Sequence, residues 1–304
     1  MRKCPVVTVI IWMGLLAVPA TPALAQRTET LDKSFTLTGT GPASLIFKDE
    51  DGDLRFSAVE GNVIRIRVRK EADARNSERE DRLLKETRVE ISQKGNEVRV
   101  EIKYPKIRGF FFWFRDHDRI RVSTEVQLPA GTDLFCSLVD GSVRGGGVAG
   151  KVEIDTVDGS IEIEGIKGAV RAETVDGRIQ VRGLEGGADI RTTDGDIRLS
   201  GRIPSLRVET VDGDIEADLL PPAAMIEDWR VETVDGDINL ALPEDLSAEI
   251  RIETEDGHVD NRLPLTLSKQ PSGGELRGTL NKGGRLLSIR SSEGRILLRK
   301  RPGG

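Results

Sequence analysis

The sequence predicts an all-β fold: a β-solenoid, β-helix-like, in which single coils of about 18 residues stack behind a strand-rich N-terminal cap with one short helix. Three observations lead there. The dipeptide Asp-Gly recurs at Asp140, Asp158, Asp176, Asp194, Asp212, Asp235 and Asp256, with spacings of 18, 18, 18, 18, 23 and 21 residues. On both sides of each Asp-Gly the apolar residues alternate with period two, which is the pattern of a strand with one buried face. The composition is also right: 304 residues with 33 Gly, 37 % hydrophobic and 32 % charged residues. That is too apolar for a disordered chain and too evenly mixed for a bundle of membrane helices.

The first element is an expected export signal, cleaved after residue 25. Arg2 and Lys3 precede an apolar stretch from Val6 to Val18, and Ala23-Leu24-Ala25 is a small-residue cleavage site. Cys4 stands before the apolar stretch, so it is not placed to accept a lipid. The stretch is too short to span a bilayer, and nothing later in the chain is apolar for long enough. The expectation is export to the periplasm, cell surface or medium of a bacterium. Cys136 would then be the single cysteine, so no intramolecular disulfide could form. Loss of Arg2 and Lys3 would take the formal charge from −6 to −8.

Residues 27–131 read as the strand-rich cap. Phe35/Leu37, Leu45/Phe47, Leu54/Phe56 and Ile64/Ile66/Val68 alternate, and DEDGD at 49–53 looks like a degenerate copy of the repeat turn. Ser77 followed by Glu80 is a capping box that should open a short helix through Leu83 and Leu84. Val89/Ile91, a turn at Gly95-Asn96 and Val98/Val100/Ile102 predict a hairpin.

Residues 132–267 form the solenoid proper. Val152/Ile154 before the turn and Ile161/Ile163 after it point inward, and their equivalents recur in each unit through Trp229/Val231 and Ile238/Leu240. Such a unit cannot bury its apolar face alone. Stacked at about 4.8 Å per coil it can, because each column then sits on its own copy. Seven coils would make a rod of roughly 30–35 Å. Cys136 falls on the Ile154 column as a small buried hydrophobe. The outward columns Glu153, Arg171, Asp189, Arg207, Arg230, Arg251 and Asp155, Glu173, Arg191, Glu209, Glu232, Glu253 set opposite charges beside each other. Residues 268–304 supply about three closing strands and a tail, expected to cover the open end of the stack.

A resemblance rests on these segments together. The helix and hairpin LLKETRVEISQKGNEVRV (83–100), VSTEVQLPAGTDL (122–134), the TVDGDI units and GGRLLSIRSSEGRILL (283–298) make the chain similar to the "putative adhesin" family. This is a bacterial family of β-strand repeats whose function is unknown. The similarity covers roughly residues 33–300. It implies a β-solenoid outside the cytoplasm with a binding role, and it supplies no catalytic residues.

Four features are candidate sites. The turn aspartates should form an acidic row, doubled where the motif is Asp-Gly-Asp: Asp194 and Asp196, Asp212 and Asp214, Asp235 and Asp237. Two carboxylates about 4 Å apart repel by about 1 kcal/mol in water and about 4 at an effective dielectric near 20, so something must relieve them. One reading is hydrogen bonding to turn N–H groups; the other is Ca²⁺ bridging between coils. The column Thr156, Thr174, Thr192, Thr210, Thr233, Thr254 suggests hydroxyl–hydroxyl bonding along the stack rather than an ice-ordering array, since only one threonine column is kept. GFFFWF at 109–114 puts five aromatics in a row, either as a buried plug or as a binding patch presenting Phe111 and Trp113. The basic strand Arg65, Arg67, Arg69, Lys70 reads as a solvated face, because the net acidic chain argues against nucleic acid.

No catalytic set emerges. His117 and His258 are far apart in the sequence, and no nucleophile motif of the G-x-S-x-G kind occurs. Acids repeated in every coil read as architecture, since a catalytic site would appear once. The sequence therefore points to an exported, non-catalytic solenoid without a cofactor that binds or scaffolds at the cell envelope, with a glycan or protein surface as partner. Two alternatives stay open: a secreted carbohydrate-active enzyme on a β-helix, and a Ca²⁺-stabilised structural rod.

Overall fold

Alternating apolar residues make strands here, and the computed structural model describes how they stack, for residues 27–39, 41–105, 118–221, 225–268 and 274–301. The N-terminal region begins with β1 (Arg27–Thr36), β2 (Ala43–Lys48), β3 (Gly52–Val59) and β4 (Val63–Asp73). Helix α1 (Ser77–Glu86) follows, then β5 (Arg88–Lys94), β6 (Glu97–Lys103) and β7 (Arg119–Pro129). The repeats fold as strand pairs: β8 (Thr132–Ser137) with β9 (Val143–Gly146), β10 (Val152–Asp155) with β11 (Ile161–Glu164), and β12 (Val170–Glu173) with β13 (Ile179–Glu185). Then come β14 (Ala188–Arg191) with β15 (Ile197–Arg202), β16 (Leu206–Glu209) with β17 (Ile215–Leu219), and β18 (Trp229–Asp235) with β19 (Ile238–Leu242). The chain ends with β20 (Ala248–Thr254), β21 (His258–Asn261), β22 (Thr266–Leu267), β23 (Glu275–Leu280), β24 (Leu286–Glu293) and β25 (Arg295–Lys300).

The first strand of each pair joins one sheet and the second joins the other, all in parallel and in register at the repeat spacing. Period-two alternation then places two apolar columns per sheet between the sheets. One runs Leu45, Leu134, Val152, Val170, Ala188, Leu206 and continues through Trp229 to Leu287 and Ile250, every member buried. Burying each of the larger members contributes about 1.5–3 kcal/mol, so the columns hold the stack together. Cys136 lies in register between Phe47 and Ile154, buried, with its thiol pushed well above its usual range by that burial.

The stack is longer than the Asp-Gly count predicts, at nine coils, and its order differs from chain order. At the start, β2 and β3 form a coil whose Asp51 bridges to Asp140, so DEDGD is a working turn. At the other end β24 lies between β18 and β20, and β25 lies between β19 and β21. The chain leaves β19, skips one coil position, builds β20–β21, and returns to fill the gap. The C-terminal strands were expected to close the end of the rod. Among the described residues β23 does so, antiparallel on β20 with β22 antiparallel on β23 in turn, while β24–β25 are an internal coil. Ser291, Glu293 and Gly294 occupy the positions of Thr, Asp and Gly in the repeat.

The other end is covered by antiparallel pairing. β4 bridges β1 and β7, and β6 carries β5 beside β2. Helix α1 packs on β4. Its N-cap is Asn76, whose side chain accepts from the Arg79 N–H at 3.0 Å, one residue ahead of the expected Ser77. Both residue types cap well, and the chain takes the earlier one. The buried Lys70 ammonium donates to the Leu84 and Thr87 carbonyls at the helix C-terminus and pairs with Glu29 at 2.9 Å. It satisfies carbonyls the helix leaves open. Lys70 is thus an inward anchor, apart from the exposed Arg65, Arg67 and Arg69 beside it.

Candidate functional site

Each turn contributes four equivalent positions to one edge of the rod, Thr-Val-Asp-Gly in most coils. The turns pair as backbone bridges from Asp51 through Asp140, Asp158, Asp176, Asp194 and Asp212 to Asp235. The Gly N–H of one turn donates to the Asp carbonyl of the next, as in Gly159 to Asp176 at 2.9 Å. The side chains of Asp194, Asp212 and Asp235 are exposed. The second carboxylates are held differently. Asp196 accepts from the Asp214 N–H at 3.3 Å, Asp214 from the Asp237 N–H at 2.8 Å, and Asp237 from the Arg295 N–H at 2.7 Å. Asp53 repeats the contact in the first coil, accepting from the Ser142 N–H of the second at 3.0 Å. Arg178 also approaches Asp196 at 3.4 Å. Among the described residues no three His, Cys, Asp or Glu side chains gather where they could hold a metal ion.

The threonines do not bond to one another. Four of the hydroxyls donate to the glycine carbonyl of the preceding turn: Thr174 to Gly159 at 3.2 Å, Thr192 to Gly177 and Thr210 to Gly195 at 3.4 Å, and Thr233 to Gly213 at 3.3 Å. Thr254 accepts from the Gly257 N–H, and the buried Thr156 hydroxyl has no partner among the described residues. A carbonyl is the nearer acceptor because each threonine is buried behind its own turn. Between threonine and aspartate stands a residue the inward columns do not include. Val139, Val157, Val175, Val211 and Val234 are each about half exposed and stack into an outward apolar ridge, broken once by Thr193. The recurring Val of TVDG was the visible signal, a β-branched apolar residue kept in a polar turn.

On the outer strand faces the charges pair within and between coils. Arg191 meets Asp189 at 2.8 Å and Glu209 at 3.2 Å, and Arg207 meets Glu209 at 2.8 Å. Such exposed pairs contribute a few tenths of a kcal/mol each.

One coil interrupts this regular surface. In β9 the residues Gly145 and Gly146, followed by Gly147, stand where other coils carry pairs such as Ile163-Glu164 and Val181-Arg182. The Phe56 ring fills the inward space at Gly145, where a Cβ would come within 2.6 Å of it. On the outward side the backbone and side chain of Glu164 lie close against Gly146, within 2.1 and 3.0 Å of where a Cβ would stand. A depression of about 380 Å³ opens there, rimmed by Ser57, Arg144, Glu162, Glu164, Gln180 and Arg182. A second one of about 170 Å³ continues it past Gln180 and Arg182 to Arg198, Ser200, Glu216 and Asp218. Arg144 and Glu162 lie 3.4 Å apart and Arg198 and Glu216 3.6 Å apart. A run of three glycines at a strand position is the signal the sequence carries for this site.

A buried carboxylate near the first turn is a third feature. Asp49 is 5 % exposed, accepts from the Asp51 N–H at 3.3 Å, and leaves Oδ2 without a partner. The Tyr104 hydroxyl beside it is committed to the Asp51 carbonyl. Burial pushes the Asp49 pKa up to about 6. Burial first, and then the nearby Asp49 carboxylate, drive the Tyr104 phenol upward. Between about pH 4 and 6 the folded state therefore holds a proton the unfolded state has released, so Asp49 lowers stability as pH rises through that window. The full penalty is at most about 3 kcal/mol. Asp49→Asn is expected to flatten this fall, with the melting temperature of the variant overtaking the parent above pH 6. A thermal-melt series from pH 4 to 7.5 checks it.

Phe111 and Trp113, the predicted aromatic pair, lie outside the described residues, between β6 and β7. Residues 1–26, including the expected export signal, also lie outside them.

Three solved structures match most of the chain at low similarity. A "putative adhesin" of Parabacteroides distasonis has 10 % identity and a TM-score of 0.37, over 89 % of this chain and 97 % of that one. A "putative adhesin" of Bacteroides fragilis has 13 % identity and a TM-score of 0.36, over 89 % and 97 %. A "putative lipid binding protein" of Parabacteroides distasonis has 10 % identity and a TM-score of 0.30, over 89 % and 97 %. No protein with a curated description matches the chain. The family model described as Toastrack DUF4097 matches residues 50–299, which takes in the Asp51 turn with β3, all the Asp-Gly coils and nearly all of the intercalated pair β24–β25, and the chain belongs to that family.

Proposed function

We propose that the chain is an exported, non-catalytic β-solenoid that binds or scaffolds at the cell envelope. The observation that carries this reading is the repetition of the outer surface. The strands β11, β13, β15, β17 and β19 present Glu162, Gln180, Arg198, Glu216 and Asn239 in one polar column, one residue per coil. A polymer or a lattice of repeating units meets such a surface many times at once, and weak contacts then add through multivalency. A catalytic constellation would occur once, whereas the Asp-Gly turns and an outward polar position recur coil after coil. The pattern Arg2, Lys3, Val6–Val18, Ala23-Leu24-Ala25 supports export.

The test uses the chain from Gln26 onward with isolated bacterial envelope fragments. Saturable co-sedimentation is expected, with no sugar released from a panel of envelope and plant polysaccharides in parallel turnover assays. Failure to sediment at any concentration rejects the binding role, and product release rejects the non-catalytic one.

A further inference from the structure

We propose that the interrupted outer face, from β3 across β9, β11, β13 and β15 to β17, is a binding groove for a neutral oligosaccharide lying along the stacking axis. The proposal rests on the envelope-binding reading and names its site and ligand class. The floor is built in. A Cβ on Gly146 would stand 2.1 Å from the Glu164 carbonyl oxygen and 3.0 Å from its Cγ, so this coil position admits glycine alone, and the side-chain-free backbone of Gly145–Gly147 lines the depression beside the Glu164 side chain. A sugar ring can lay its C–H face on that backbone while its edges reach outward.

The rim matches those edges. A hydroxyl both donates and accepts, and the rim offers donors from Arg144 and Arg182, acceptors from Glu162 and Glu164, and both from Gln180 and Ser57. Two cations and two carboxylates make the first depression neutral, so a polyanion would meet Glu162 and Glu164 without net attraction. The second depression repeats the balance, with Arg182 and Arg198 against Glu216 and Asp218. Glu164 and Arg182 sit side by side in register, yet among the described residues neither has an ion pair or a side-chain hydrogen bond. Their polar groups are free for a ligand. The first depression falls within the about 300–1,000 Å³ of ordinary ligand sites. The second shares Gln180 and Arg182 with it, so the groove extends over six parallel strands, about 24 Å at the strand spacing. That length takes an extended chain of several sugar units rather than a single one.

Calorimetric titration of the chain from Gln26 onward with cellohexaose, chitohexaose and maltohexaose, their dimers, and a galacturonic acid hexamer tests this. At least one neutral hexamer is expected to bind about tenfold more tightly than its dimer, with the acidic hexamer weaker. Gln180→Ala and Glu164→Ala, both on the outer face, are each expected to weaken that binding about tenfold while leaving the melting temperature unchanged. Preference for the acidic hexamer, absence of binding by every neutral hexamer, or unchanged affinity in both variants overturns the proposal. The same variants in the envelope co-sedimentation assay separate the two readings. If they sediment like the parent, the groove is wrong and the envelope role stands; if the parent itself fails to sediment, the envelope role falls.

Discussion

Replacing Gly195 by alanine is expected to destabilise the protein by about 4 kcal/mol, a large effect for a single methyl group. The reason is the turn ladder. Gly195 sits at φ +150°, and a Cβ built on it would stand 2.3 Å from the Gly177 carbonyl oxygen of the preceding coil. The backbone conformation alone costs an L-residue about 1–3 kcal/mol, and pushing the turns apart costs about as much again. Relief by local movement is blocked, because the Gly177 N–H donates to Asp194 and the Gly195 N–H donates to Asp212, both at 2.9 Å. Moving one turn disturbs two neighbours. Gly183→Ala is the matched control. Its φ of +61° is left-handed, but the nearest heavy atom to a Cβ is 3.8 Å away. It should lose only about 1 kcal/mol. Urea denaturation of the two variants would read the difference directly. Equal losses would show that conformation, not close approach between coils, sets the glycine requirement.

That contrast marks what the sequence makes legible. The period of 18, the inward columns and the Asp-Gly turns are all local repeats of one unit, and each follows from side-chain chemistry that any coil carries alone. The Asp51 turn was readable for the same reason. Stacking order was not. Every coil presents the same columns above and below, so nothing in Val231 or Ile252 specifies which coil lies next to it. The pair β24–β25 was also disguised, because Ser291-Ser292-Glu293-Gly294 replaces Thr-Val-Asp-Gly. At the candidate site the acidic row was visible in the sequence but the groove was not. A groove here is an absence of side chains at Gly145 and Gly146, and its rim comes from strands β3, β11 and β13, one of them about 90 residues away in sequence. Asp49 was hidden for the opposite reason: DEDGD offers four acidic residues, and only the fold singles out Asp49 for burial.

Ending the chain after Arg285 is expected to cost more than any substitution, although it removes only the last strands, β24 and β25. In a solenoid whose coils stacked in chain order, that deletion would trim an end. Here it empties a position inside the stack. Among the described strands, β20 loses its parallel partner and keeps the antiparallel β23, and β21 loses its one partner, β25. β18 and β19 are left with open edges, and Trp229, which pairs with Leu287 and is 1 % exposed, comes to the surface. Leu287, Ile289, Ile296 and Leu298 are fully buried, so their removal alone forfeits about 6–12 kcal/mol of transfer free energy. Everything beyond Leu242 should lose hydrogen-exchange protection, while the coils from β8 to β17 keep theirs, because each repeat depends on its nearest neighbours. Trp229 emission, read in a Trp113→Phe background, should shift to the red, and the exposed edges should make the truncated chain self-associate. A synthetic peptide spanning residues 286–301 should restore protection to residues 248–261 by re-entering between the two coils as added strands. The opposing outcome is equally distinct. If residues 248–254 stay protected without the peptide, then β20–β21 has slipped one step down the rod onto β18–β19, and the matching columns, not the intercalated coil, are what hold the last coil in place.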